Sequence, residues 1–312
     1  MLNISYTISP KLKEYLDKIE NLRKQILLTP IAPNIELKLR WEALFERIHY
    51  SLKISGNPIK KSDMLKLVSE ITHEKIDNNQ KAVLNYKKAL GHISQSWQGS
   101  SNAVDAKALI DIHKIISNGK LRVPQAGLQH LLDYLQAQKE NPIIQAGIVN
   151  IELEKMQLFT ESNILISHLA SDLFLYKYGY DFKGFLAYEA EWMKNADNFK
   201  ENHQRALGAV SLTIWLEYFA GRISEQLEEI FQSIKKPKIN TLGLRESFWR
   251  LNERERSALS FLDSPQATIT NRQIQKRYKI SQITASRDLA KLTNLGFLFA
   301  HGKGRSVYYT KI

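Results

Sequence analysis

The sequence contains no cysteine. That excludes a disulfide framework and any metal site held by thiolates. No apolar run reaches the ~18 residues that a spanning helix needs, so no membrane span is expected. The opening residues, Met1-Leu2-Asn3-Ile4-Ser5-Tyr6, lack the basic-then-apolar order of a secretory leader. These absences together lead to an expectation of a cytoplasmic protein. No internal repeat is visible, and no alternating strand pattern occurs before residue 260. His49, His73, His92, His113, His130, His203 and His301 show no His-x-x-x-His spacing on one face, so no metal site is expected.

What is present is enough apolar material for a sizeable core, 43% of residues, with 10% aromatic. The 312 residues suit one large domain or two ordinary ones. Helical periodicity runs through the first three quarters. Ser9-Pro10 starts a helix carrying Leu12, Tyr15, Leu16, Ile19, Leu22 and Ile26 on one face. Further helices are expected at about 35–52, 62–71, 77–94, 103–116, 125–138, 142–156, 164–178, 188–202 and 207–234. The helix from Ile164 to Tyr178 is apolar nearly all round and should be a buried central rod, closed by Gly179 in the left-handed conformation. Ser162 or Asn163 is its expected side-chain N-cap. A polar loop that runs into a helix start is a candidate anion site. The expected organisation is a helical domain over 1–234, a linker over 235–247 around Lys235-Lys236-Pro237, and a second domain over 248–312.

Charge is uneven. Between 248 and 312 there are 12 Lys+Arg against 4 Asp+Glu, so +8 of the net +12 lies in that tail. The pattern there changes as well. Asn252 can cap a helix with Arg254, Leu259 and Phe261. Thr268-Ile269-Thr270 is short and β-branched. Asn271 is expected to cap a second helix through Tyr278, and Ser281 a third with Ile283, Leu289, Leu292 and Leu295 inward, stopped at Gly296. Two strands follow, 297–300 and 307–310, joined by His301-Gly302-Lys303-Gly304-Arg305-Ser306. Three helices and a hairpin with a basic tip look like a winged helix-turn-helix. In that geometry Gln282, Thr284, Ser286, Arg287 and Lys291 face bases in the major groove. Arg272, Lys276 and Arg277 meet phosphates, and Lys303 and Arg305 reach phosphate or the minor groove. Double-stranded DNA is the expected partner. A homodimer would place two such units on half-sites, and a protein-docking module without nucleic acid is the rival reading.

The central stretch is Gln157-Leu158-Phe159-Thr160-Glu161-Ser162-Asn163-Ile164-Leu165-Ile166-Ser167-His168. It resembles the motif of the Fic family, His-Pro-Phe-x-(Asp/Glu)-Gly-Asn-Gly-Arg-x-x-Arg, with Phe159, Glu161 and Asn163 in register. Leu175-Tyr176-Lys177-Tyr178-Gly179-Tyr180, Ile214-Trp215-Leu216-Glu217-Tyr218-Phe219 and Asp111-Ile112-His113-Lys114-Ile115-Ile116 also resemble that family. The resemblance implies a mainly α protein, an all-helical Fic-like domain followed by a small α+β winged-helix domain. It implies a family activity of transferring AMP from ATP to a protein hydroxyl with a divalent cation.

The match fails where that chemistry is done. Gln157 stands at the position of the general base, and an amide takes no proton near neutral pH, a role worth roughly 10²–10⁴ in rate. Ser162 and Ile164 replace the two glycines, Leu165 the phosphate-binding Arg and His168 the second Arg. Glu161 alone is a poor Mg²⁺ site. The resemblance also implies an inhibitory string, here Ser51-Leu52-Lys53-Ile54-Ser55-Gly56-Asn57, with Ser55 where the blocking Glu belongs. The segment 118–124 is shorter than the family's target-docking flap. The expectation is therefore a pseudo-enzyme with no catalytic residue, no metal and no cofactor. ATP and Mg²⁺ enter only if residual nucleotide binding or AMP transfer persists, the alternative reading.

Overall fold

The computed structural model describes residues 4–69, 76–122, 125–137, 140–181, 183–236, 251–262, 267–295, 297–302 and 304–311. The chain forms two compact units. One comprises Met1–Pro30, Glu42–Lys61 and Asp77–Pro237; the other comprises Ile31–Trp41, Ser62–Ile76 and Lys238–Ile312. Most of the linker expected at 235–247 lies outside the described residues.

Every regular element described in the first unit is a helix. The unit contains α1 (Pro10–Leu28), the C-terminal part of α2 (Pro33–Ile54), α4 (Asn78–Trp97), α5 (Ala106–Ile116), α6 (Gln125–Ala137) and α7 (Pro142–Met156); α3 (Lys61–Ser69) falls mainly in the other unit. It continues with α8 (Asn163–Lys177), α9 (Tyr188–Lys194), α10 (Ala196–Gly208) and α11 (Thr213–Lys235). Sequence signals account for most of these starts. Ser9 accepts from the Leu12 amide with Pro10 in the first helical position, and Asp77 with Gln80 forms a reciprocal capping box at α4. Asn141 and Pro142 do the same work for α7.

The central rod is α8. Every residue of it except Ile164 is buried. It runs against α7, and α4 and α5 pack on it as well. Gly147 of α7 is needed for close packing, because a Cβ there would lie 2.8 Å from Leu216 of α11. The Trp215 indole closes the same contact by donating to the Gly147 carbonyl at 2.8 Å. Gly179 ends α8 at φ +70°, with the Tyr180 amide reaching back to the Leu175 carbonyl at 2.8 Å and the Gly179 amide to Tyr176 at 3.1 Å.

Two expectations for this unit are corrected. The single helix expected at 188–202 is two, because Asn195 leaves the helical region and its side chain caps α10 through the Asn198 amide at 3.1 Å. Helix α11 starts at Thr213, later than 207. The residues before it turn to meet the N-terminal segment, where the Leu212 amide donates to Ser5 O at 2.8 Å and the Thr7 amide to the Thr213 hydroxyl at 2.9 Å.

In the second unit, α12 (Glu253–Phe261) is followed by β1 (Thr268–Thr270), α13 (Asn271–Tyr278) and α14 (Gln282–Asn294). The chain then forms β2 (Leu298–His301), a 3₁₀ turn at Gly304–Ser306 and β3 (Tyr308–Lys311). The sheet is antiparallel in the order β1-β3-β2, with Ile269 opposite Tyr309 and Phe299 opposite Thr310. Its core is Ala258, Leu259, Leu262, Ile269, Ile274, Ala285, Leu289, Leu292 and Leu298. Gly302, at φ +82°, is required in the hairpin, since a Cβ would come within 2.8 Å of the Ser306 carbonyl oxygen. The cap of α13 is Thr270 rather than the expected Asn271. Ile283, expected inward, is 66% exposed, and Ala285 fills the inward position. The expected helix stop at Gly296 lies outside the described residues.

Candidate functional site

The loop between α7 and α8 is tied down from three directions. Asn163 holds it internally. Its Oδ1 accepts from the Phe159 amide at 2.9 Å, and its Nδ2 donates to the Phe159 carbonyl at 2.8 Å and to Gln157 Oε1 at 3.3 Å. From below, the Phe159 ring stacks on His113 with centroids 3.6 Å apart and planes 6° from parallel. From the side comes the segment after α5. Thr160 N donates to Lys120 O at 2.9 Å and Arg122 N to Leu158 O at 2.7 Å, with Leu121 and Phe159 in an antiparallel bridge. Residues 118–122 of the short segment thus lie on the loop, Leu121 pairing with Phe159 as a strand fragment, and residues 123 and 124 are outside the described set. Gly119 permits this, because a Cβ there would lie 2.7 Å from Glu161 Cγ and 3.1 Å from Thr160 Oγ1.

The individual side chains are placed as follows. Gln157 is exposed at φ +44° and donates from Nε2 to the Glu154 carbonyl at 2.7 Å. The Glu161 carboxylate accepts from the Ser117 hydroxyl. The Glu161 carbonyl faces His113 Nε2 at 3.1 Å, so that nitrogen carries the proton. Burial lowers the His113 pKa. Ser162 sits at φ +62°, ψ +25°, with no side-chain capping bond. The expected side-chain N-cap is therefore absent: Ser162 is left-handed, and Asn163 spends its oxygen on Phe159. Leu165 is buried. Among the described residues, no group of three or more His, Cys, Asp or Glu is arranged to hold a metal ion.

His168 does not join this loop. It is 2% exposed and points to α2, with Nδ1 3.1 Å from Ser51 Oγ. The Ser51 hydroxyl has one hydrogen, which goes to Glu189 Oε1 at 3.0 Å, while Tyr86 OH donates to it at 2.9 Å. His168 Nδ1 must therefore be the N–H. Burial, with a smaller contribution from His203, pushes the His168 pKa down to about 3, so the ring is neutral. Ser55, by contrast, is exposed at the end of α2 and donates only to Leu52 O at 2.8 Å.

Beside Ser51 lies a buried charge cluster that sequence reading missed. Arg47 of α2 contacts Asp181 Oδ2 at 2.5 Å, the Leu186 carbonyl, and Asp172 of α8 at 3.7 Å. Glu189 of α9 completes it. One guanidinium faces three carboxylates with no access to water, so burial raises the pKa of Asp172, Asp181 and Glu189, the last to about 7. Neither Asp172 oxygen nor Glu189 Oε2 has a hydrogen-bond partner among the described residues. The only sequence signal was an aspartate inside an otherwise apolar rod.

In the second unit the structure sorts the expected nucleic-acid residues. Gln282, Ser286 and Arg287 of α14 and Arg272, Lys276 and Arg277 of α13 are exposed, and Thr284 is half-buried. Ser286 Oγ accepts from Asn271 Nδ2 at 2.8 Å, and Arg277 lies 4.9 Å over the Phe261 ring. Lys291 is corrected: it is half-buried and pairs with Glu255 at 2.9 Å, so it belongs to the packing of α12 on α14 rather than to an outward row. Lys303 and the Arg305 side chain lie outside the described residues.

The sequence matches no family model. It matches no curated protein. Solved structures are similar to it. A Fic family protein from Desulfovibrio desulfuricans aligns over 98% of this chain and 97% of its own, with TM-score 0.60 and 14% identity. A Fic domain containing signaling protein from Bacteroides thetaiotaomicron aligns over 74% of this chain and 100% of its own, with TM-score 0.56 and 15% identity. Fic-1 from C. elegans aligns over 71% of each chain, with TM-score 0.53 and 13% identity.

Proposed function

Taking the Fic fold of this chain as premise, we propose that it is a catalytically inert member of that fold which acts as a regulator through duplex DNA bound by a winged helix-turn-helix at its C-terminus. The observation that carries the reading is the exposed polar and basic surface of α13 and α14: Gln282 and Arg287 on one, Arg272 and Lys276 on the other. These are the residue types that meet base edges and phosphates. They sit on the two helices that precede an antiparallel hairpin. The concentration of positive charge after residue 248 supports it.

The inert part of the proposal is supported by the loop's own chemistry. Where the resemblance puts a general base stands an amide that already donates to Glu154. Segment 118–122 is hydrogen-bonded across Leu158–Thr160. Leu165 and a neutral, buried His168 stand where two phosphate-binding cations would be. On this reading no ATP, Mg²⁺ or other cofactor is used. The helical unit supplies a scaffold, and a homodimer would set two reading helices on half-sites about one DNA turn apart.

The test is affinity of the full chain for mixed duplex DNA as a function of salt. Binding at low salt, with log Kobs falling linearly with log salt, is expected, at a slope of about −3 to −4 if four cations meet phosphates. A flat plot, or no binding at low salt, overturns the DNA reading and leaves a protein-docking module. Titration with ATP and Mg²⁺ is expected to show no affinity tighter than millimolar; micromolar binding overturns the inert reading.

A further inference from the structure

Residue Ile283 lies in the first turn of α14, behind the Ser281 cap. Helical spacing puts it on one face with Ser286 and Arg287, both exposed, while Ala285, Leu289, Leu292 and Leu295 form the buried face. Ile283 is 66% exposed. The core does not explain it, since Ala285 occupies the inward position at 0% exposure. Helix formation does not explain it either, since a β-branched residue is a poorer helix former than Ala, Leu, Lys or Glu at an exposed position. The other exposed residues of the first two turns of α14, Gln282, Ser286 and Arg287, are polar or basic, as are the exposed Arg272 and Lys276 of α13.

We infer that Ile283 is a specificity residue that packs against the C5-methyl group of thymine in the major groove. The inference rests on the DNA-binding reading above. In the major groove, thymine alone presents an exposed methyl group among the base edges, and an apolar side chain placed among hydrogen-bonding ones reads it. The neighbours fix the context. Ser286 is already engaged with Asn271, so its hydroxyl serves the packing of the two helices. Arg287, exposed one helical turn beyond Ile283, is placed to face a guanine edge. Four residues advance about 6 Å along the helix, close to two base-pair steps. The recognised sequences therefore carry a thymine within about two base pairs of the guanine read by Arg287.

The experiment selects duplexes from a random pool with the full chain, then replaces each thymine of a selected duplex singly by deoxyuridine, which removes only the methyl group. For the wild-type chain, replacement at one thymine is expected to weaken binding about three- to fivefold, the worth of one buried methyl group. Ile283→Ala is expected to lose a similar factor on the thymine duplex, to be indifferent to that replacement, and to keep the salt slope of wild type. Arg272→Ala is expected to lose one unit of slope while still responding to the replacement. Ile283 is solvent-facing, so circular dichroism and thermal melting of its variant should match wild type. If every deoxyuridine duplex binds as tightly as its thymine parent, or Ile283→Ala binds the selected duplex like wild type, the assignment of Ile283 is overturned while DNA binding stands. If no salt-dependent duplex binding is seen at all, both fall together.

Discussion

The Glu189 carboxyl tests the energetics of the helical unit directly. It is fully buried, accepts from Ser51, and has a second oxygen without a hydrogen-bond partner among the described residues. Burial raises its pKa from 4.5 to about 7, an effect only partly offset by Arg47, backbone and Ser51. The groups facing it are Arg47 and Ser51 on α2, Tyr86 on α4, Asp172 on α8 and Asp181 after α8. A carboxyl with a raised folded-state pKa keeps its proton in the folded protein while losing it in the unfolded chain. Its contribution is intact below about pH 4.5 and is lost as pH rises to about 7, a difference on the order of 3 kcal/mol. Glu189→Gln keeps the volume and an oxygen for Ser51 and removes the ionisation. The variant should match wild type within about 1 kcal/mol near pH 5 and exceed it by up to about 3 kcal/mol at pH 8. Urea unfolding followed by fluorescence of the buried Trp192 and Trp215 measures this across the range. His168, His49 and His113, whose pKa values are lowered by burial, lose stability as pH falls below about 6.5 in both proteins and cancel in the difference. A difference that stays flat with pH, or grows toward acid, would refute the buried-carboxyl account.

Three further substitutions probe the loop and the tail. Ser162→Gly relieves a left-handed residue at φ +62° and should raise stability by up to about 1 kcal/mol in thermal melts, after allowance for unfolded-chain entropy. Asn163→Ala removes two bonds to the buried Phe159 backbone and should cost about 2–3 kcal/mol, with faster hydrogen exchange at the Phe159 amide. Gln157→His alone should give no transfer of radiolabelled AMP to a bystander protein, because Ile164, Leu165 and the buried His168 are unchanged; label transfer would show that the reading of the loop is wrong.

Much of the fold was legible because its signals are local. Pro142 and Asn141 mark the start of α7, Gly179 the end of α8, and the all-round apolar pattern of α8 marks its burial. What was not legible depends on contacts distant in sequence or on competition between neighbours. The Arg47–Asp181 pair joins residues 134 apart, and no periodicity reveals it. Asn195 looks like one more polar position in a helix until α10 needs a cap. Ile283 fits the apolar spacing of α14, but Ala285 lies closer to the core, and only packing decides between them. From sequence the 118–124 segment is expected only to be shorter than the family's flap, and the pairing of residues 120–122 with 158–160 needed the hydrogen bonds themselves.

The contact between α2 and α8 differs chemically from what the family resemblance implies. The family resemblance leads one to look at residue 55 for a carboxylate and at residue 168 for an arginine, an ion pair between the two helices. Here Ser55 faces solvent, and the joint has moved one turn back to Ser51, which binds a neutral His168. The two helices still meet, so the architecture does not need the ion pair. A phosphate would need a free arginine at residue 168, because a neutral imidazole at 2% exposure offers an anion neither charge nor access. Arg47 does not substitute, since its guanidinium is already bound to Asp181, the Leu186 carbonyl and Asp172. Exposed basic side chains lie instead on α13 and α14, at Arg272, Lys276, Arg277 and Arg287, the surface that the proposed DNA reading would use.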